Sequence, residues 1–241
     1  METFRNLFRI GVLSFLVGGC CVSMSEGPSQ GTIDVASERP LQKKVFVNRL
    51  MQSTIAIMSE DTVVRLPICS GVWISKDLIL TAAHCVESED ERLVFTYSTM
   101  EGYSTGNYGK ATLVGIDEKI DLALLLAPGD VDHPITSISD ELLAPGDEIN
   151  IVGHPVGYDW TYSLGHISAI RKNQSGPIGK IEKVIQISAP MWMGNSGGGA
   201  FDSDGNLIGI CSWISKSGPN LSFFIHRDVI QEFLLKHLSR F

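Results

Sequence analysis

The sequence predicts an all-β chain that ends in one helix. Three observations carry that expectation. Short apolar runs recur along most of the 241 residues. Gly, Pro and Asp punctuate them at turn positions. One late stretch alone switches to helical spacing.

The runs fall into two groups. Thr54–Met58, Ile68–Ile74, Leu78–Thr81, Arg92–Tyr97, Ala111–Ile116 and Leu122–Leu126 make the first. Glu148–Val152, Tyr162–Ile170, Lys183–Ile187, Leu207–Trp213 and Leu221–Ile225 make the second. From Asp228 to Leu238, apolar Val229, Ile230, Phe233, Leu234 and Leu238 form a stripe at i, i+1, i+4, i+5 and i+9, which predicts an amphipathic helix. His226 then reads as a strand-end residue and His237 as a surface helix residue.

The N-terminus reads as an export segment. Arg5 and Arg9 precede the short apolar run Ile10–Val17, and Gly18-Gly19 precedes Cys20. That run is short for a membrane span. Val17-Gly18-Gly19-Cys20 resembles a bacterial lipobox with Cys20 as the lipidated residue; a plain cleaved signal is the other reading. Residues 1–20 are assigned to this segment and the Ser/Gly/Glu-rich residues 21–45 to a flexible tether. The net charge of −8, with no basic run, argues against a nucleic-acid partner.

The chemistry concentrates at Gly194-Asn195-Ser196-Gly197-Gly198. Glycines around a serine permit a sharp turn and close approach of a substrate carbonyl. They also leave the N–H groups of Gly194 and Ser196 available to a developing oxyanion. The pattern also satisfies the G-x-S-x-G elbow of α/β-hydrolases, but that fold needs a helix after the serine and a histidine after the acid. Here a turn signal, Phe201 to Asn206, follows. The supporting residues lie upstream instead: His84 in Leu80-Thr81-Ala82-Ala83-His84-Cys85, and Asp121 heading Leu122-Ala123-Leu124-Leu125. Asp117 is the competing acid, but Glu118-Lys119 makes it a hairpin-turn residue.

On these motifs the chain resembles trypsin/chymotrypsin-like serine proteases, and is most similar to the HtrA/DegP-type protease domain without PDZ domains. Cys69-Ser70-Gly71-Val72-Trp73-Ile74, Gly153-His154-Pro155-Val156-Gly157 and Leu207-Ile208-Gly209-Ile210 add to the match. The resemblance implies a double barrel, two six-stranded antiparallel β-barrels with a C-terminal helix, over residues 46–241. It implies catalytic His84, Asp121 and Ser196, an oxyanion hole at Gly194, Asn195 and Ser196, and Ser212 beside the triad aspartate. It implies a substrate pocket of Pro190, Met191, Met193, Ser212, Trp213 and Ile214. It also implies a histidine-loop disulfide between Cys69 and Cys85, with two buried thiols as the alternative. Cys211 reads as a buried strand residue.

Two departures from trypsin bear on function. Asn195 stands where trypsin-like zymogens carry the aspartate that pairs with a new N-terminal amine. Pro190 stands at the pocket base, where a carboxylate would select Lys or Arg. The expected function is therefore an exported serine endopeptidase of the bacterial cell envelope that acts on protein or peptide substrates. It would be lipid-anchored through Cys20, or else periplasmic or secreted. No cofactor and no metal is expected, and the sequence sets no oligomeric state. A binding or chaperone module without activity on the same fold, or an esterase with the same triad, are the rival readings.

Overall fold

The structure is a computed structural model that describes residues 35–58, 66–86, 91–96, 108–127, 133–177, 179–215, 218 and 221–238. The export segment, Cys20 and the first part of the tether lie outside the described residues.

Six strands form a first antiparallel ring: β1 (Thr54–Met58), β2 (Pro67–Trp73), β3 (Leu78–Thr81), β4 (Glu91–Thr96), β5 (Tyr108–Asp117) and β6 (Leu122–Leu126). They run in the order β1-β2-β3-β6-β5-β4, and β1 pairs back to β4 through Ile55 and Thr96. A second six follows: β7 (Glu148–Gly153), β8 (Thr161–Gly176), β9 (Gly179–Ile187), β10 (Gly199–Phe201), β11 (Leu207–Ile214) and β12 (Ser222–His226). Their order is β10-β11-β12-β9-β8-β7, with Ala200 of β10 opposite Ile151 of β7. β10 has no counterpart among the apolar runs read from the sequence. It is three residues long and begins with a glycine.

The all-β expectation with a single terminal helix is corrected by an 18-residue helix at the other end. α1 spans Val35–Gln52 and takes in residues 35–45 of the stretch read as a tether. Its composition is polar, and Leu41 and Val45 are exposed, so no long apolar stripe announces it. Tertiary contact supplies what propensity does not. Leu50 is buried, and Phe46 packs beside it on the same apolar cluster. Both side chains lie where a Cβ on Gly205 would meet them, at 3.4 Å. The last turn is closed by Ser53 and Thr54, whose hydroxyls both donate to the Leu50 carbonyl at 2.9 Å.

The core has three parts. Ile55, Ile57, Trp73, Ile79 and Leu125 fill the first ring. Ile149, Ile151, Ile167, Ile185 and Phe224 fill the second. A third layer joins Leu80, Leu122 and Leu124 of the first ring to Val152, Leu207 and Ile210 of the second. Neighbours Ile79 and Leu80, or Leu125 and Leu124, therefore face opposite ways, and both are buried. That is why β3 and β6 read as unbroken apolar runs rather than alternating ones. Each such side chain contributes roughly 1.5–3 kcal/mol.

α2 (Arg227–Leu238) buries Val229, Ile230, Phe233 and Leu234 on this layer. Its last turn differs from expectation. Leu238 is part-exposed, while His237 is buried on Phe233, with ring centroids 4.3 Å apart. His237 fits because Gly115 of β5 has no side chain to exclude it.

Candidate active site

The site is assembled from both rings along the seam between them. His84 sits in a single 3-10 turn, Ala83–Cys85, just after β3. Asp121 sits between β5 and β6 with φ +58°. This left-handed conformation is one that Asp tolerates better than most residues. It directs the carboxylate inward, where its side chain is 1% exposed.

Three donors meet that carboxylate. The His84 backbone N–H reaches Oδ1 at 3.1 Å. His84 Nδ1 lies 2.9 Å from Oδ1 and 3.0 Å from Oδ2. The Ser212 hydroxyl, from β11 of the second ring, donates to Oδ2. An ionised carboxylate only accepts, so His84 carries its proton on Nδ1 and keeps the Nε2 lone pair. The His84 side chain is 32% exposed, so the imidazole is open to solvent while its partner is not.

Ser196 lies in the turn before β10 and is half-buried. Gly194 and Gly197 flank it at φ +97° and +80°. A Cβ on Gly194 would run into the His154 carbonyl oxygen, and one on Gly197 into Ser70 O and Thr81 Oγ1. Only glycine fits either place. The loop is pinned by Gly197 N–H to Cys211 O (2.8 Å), Gly198 N–H to Asn195 O (2.9 Å) and Ser70 N–H to Ser196 O (2.7 Å). Asn195 spends its own N–H on Trp192 O at 3.1 Å. Among the described residues the N–H groups of Gly194 and Ser196 have no such acceptor. Two unsatisfied donors beside a serine hydroxyl are what an oxyanion needs.

A cavity of about 730 Å³ opens beside Ser196. Pro190, Met191, Met193, Ser212, Trp213 and Ile214 all line it. Trp192, between the two methionines, lines it as well; Cys211 and Ser222 line it too and were not anticipated. Ser222 stands directly opposite Ile214 in the β11–β12 register, so strand pairing alone would have found it once β12 was placed. Cys211 is buried; desolvation, reinforced by the Asp121 charge, pushes its thiol well above its usual range. It stays a neutral S–H.

Cys69 and Cys85 are joined by a disulfide that ties β2 to the His84 turn, with Cα atoms 6.0 Å apart. Cys69, His84 and Cys85 also have donor atoms close enough for a metal. The sulfurs are spent on each other and His84 Nδ1 on Asp121, so the group does not suit one.

A second serine–histidine contact lies behind the loop. Ser70 Oγ is 2.9 Å from His154 Nδ1, and both residues are 0% exposed.

The trypsin-like peptidase domain family model matches residues 69–210, which spans the three side chains just described. The chain belongs to this family. Among curated relatives, a probable periplasmic serine endoprotease DegP-like from Halomonas elongata is 39% identical over 167 residues, covering 68% of this chain and 33% of that protein. The serine endoprotease DegS of Haemophilus influenzae is 34% identical, covering 69% and 49%. The chain thus spans between a third and a half of the length of these relatives. Among solved structures, the HtrA-type protease AlgW with a decapeptide superposes with a TM-score of 0.69 at 26% identity, covering 80% of this chain and 66% of that one. A serine endoprotease from Yersinia pestis gives 0.66 at 25%, covering 80% and 65%. The trypsin-like domain of this chain is therefore a trypsin-clan serine protease domain related to the HtrA, DegP and DegS proteases.

Proposed function

We propose that this chain is a serine endopeptidase of the bacterial envelope, acting on unfolded or extended protein segments. The observation that carries the reading is the buried Asp121 carboxylate holding His84 in the Nδ1–H tautomer, with Ser196 and two unsatisfied N–H groups on the facing loop.

Ser196 attacks the substrate carbonyl as His84 Nε2 takes its proton. The imidazolium so formed is stabilised by Asp121, and the proton later goes to the leaving amine. Gly194 and Ser196 N–H groups receive the oxyanion. Water then repeats the sequence on the acyl-enzyme. No cofactor enters these steps.

The substrate lies extended along Ser212-Trp213-Ile214. The partner strand β10 ends its pairing at Ile210, which leaves that edge of β11 for an added strand. The side chain before the scissile bond enters the cavity. Met191, Met193 and Ile214 give it apolar walls, and Ile214 with Ser222 crosses it. Val, Ala or Leu suit it. Lys or Arg would bury an unpaired charge, at a cost of several kcal/mol.

The export-like residues 1–20 and relatives whose own names call them periplasmic support export. Lipid attachment at Cys20 gives the membrane contact. Cys20→Ser releases the protein from the membrane fraction or blocks its processing; unchanged membrane association would leave a plain signal.

The decisive measurement is fluorophosphonate labelling followed by a peptide library. Label on Ser196, absent in Ser196→Ala, with cleavage after small apolar residues, is the expected result. A folded wild type that takes no label would favour the non-catalytic binding module. Cleavage chiefly after Lys or Arg would overturn the pocket assignment.

A further inference from the structure

The Ser70–His154 pair cannot be a second dyad. Both residues are fully buried, neither borders the cavity, and among the described residues no carboxylate bonds the ring. What the pair holds is the nucleophile loop. Ser70 Oγ also donates to the Gly194 carbonyl at 2.8 Å. A hydroxyl has one proton, so with that proton on Gly194 O, Ser70 Oγ accepts from His154. His154 is therefore the Nδ1–H tautomer as well. Among the described residues its Nε2 lone pair has no partner, and it lies beside the edge-on Trp160 ring at 4.9 Å. A bare lone pair is tolerable there, and burial drives the ring's pKa down to about 3, so it remains neutral.

The residues after His154 act on the same loop. Val156 has φ +55°, ψ +27°, a left-handed conformation that a β-branched side chain resists. In that pose its N–H donates to Met193 O at 2.7 Å. A trans peptide sets C=O and N–H on opposite sides. Holding Met193 O thus turns the Gly194 N–H the other way, where among the described residues it has no acceptor. Ser70 N–H meanwhile holds Ser196 O. Val156 and Ser70 together thus hold the carbonyls of Met193, Gly194 and Ser196.

We propose that His154, acting through Ser70 and together with the Val156 turn, is the positioning element that keeps the Gly194 and Ser196 N–H groups aimed at the oxyanion. It is an uncharged substitute for the ion pair that Asn195 cannot make. The inference rests on Ser196 being the nucleophile. It adds that the loop is locked by groups outside the substrate path.

The test compares wild type with Ser70→Ala, His154→Ala and His154→Asn. Wild-type labelling and peptide turnover come first; a silent wild type overturns the underlying reading and this inference with it. With an active wild type, Ser70→Ala and His154→Ala are expected to lower kcat about 100-fold, the loss typical of one oxyanion donor, with KM nearly unchanged. Two inhibitors separate positioning from general loosening: a peptide ending in a valine amide, and the same peptide as a boronic acid. The boronate, which forms a tetrahedral adduct, should weaken by the same factor as kcat, and the amide should not. His154→Asn puts an amide nitrogen near the place of Nδ1 and should recover most of kcat. Should His154→Ala fail to fold, Ser70→Ala and His154→Asn carry the same readings. Unchanged kcat in Ser70→Ala, or equal weakening of amide and boronate, overturns the proposal.

Discussion

His84 and His154 invite comparison. Each imidazole bonds through Nδ1, each is the Nδ1–H tautomer, and each has a serine close by in the fold. They differ in partner and exposure. His84 bonds a buried carboxylate and is one-third exposed. His154 bonds a neutral hydroxyl and is sealed. A base must gain a charge mid-reaction, so it needs a counter-charge and a path to substrate. A strut must not gain one, so it is best kept where charging is forbidden. On the proposed mechanism the first setting suits a base and the second a strut, and the environment decides which.

Substitutions should separate the two. The largest effect belongs to the chemical histidine: His84→Ala, like Ser196→Ala, should cut peptide turnover by about 10⁶, read as kcat with folding intact by circular dichroism. Removing only the counter-charge, Asp121→Asn, should cost about 10⁴, because the ring loses its tautomer while its position persists. The sealed histidine should instead show itself in acid. Unfolded, it titrates near 6.5; folded, it stays neutral down to about 3. The unfolded state binds the proton first, so stability is complete above pH 6.5 and declines as pH falls toward 3. The loss reaches roughly 5 kcal/mol. Denaturant midpoints from pH 7 to 4 should fall less steeply in His154→Asn. His226, whose burial lowers it to about 4, adds to the slope that remains. Smallest is the disulfide. Cys69→Ala with Cys85→Ala should remove about 3 kcal/mol of stability by the chain-entropy model, measured as a lower urea midpoint. An unchanged midpoint would deny that closing this 16-residue separation constrains the unfolded chain.

The legibility of these features in the sequence was uneven for physical reasons. Chemistry that needs one residue type in one local setting leaves a local trace. Gly194 and Gly197 are readable because their φ values exclude side chains. Strands β3 and β6 are readable because both faces are buried, and so is α2 for most of its stripe. What depends on distant partners left no trace. α1 is polar for most of its length and is held by Leu50 and Phe46 against a turn about 150 residues later. His237 is buried because of a missing side chain on β5. His154 lies in the Gly153-His154-Pro155-Val156-Gly157 segment, yet what it holds depends on Ser70, 84 positions away. Cys211 and Ser222 line the cavity only through the pairing of β11 with β12.

The bonds around the triad share a geometric property. Asp121 belongs to the first ring, and Ser212, which holds it, to the second. Ser70 belongs to the first ring, and the Gly194 carbonyl and His154 that it holds belong to the second. Each ring thus reaches over and fastens a working part of the other. Neither half owns a finished catalytic group, so a sideways slip of one against the other would unfasten proton transfer and charge stabilisation at the same moment. The seam is in effect a single latch, and the competence of the enzyme is a property of how its two halves are aligned.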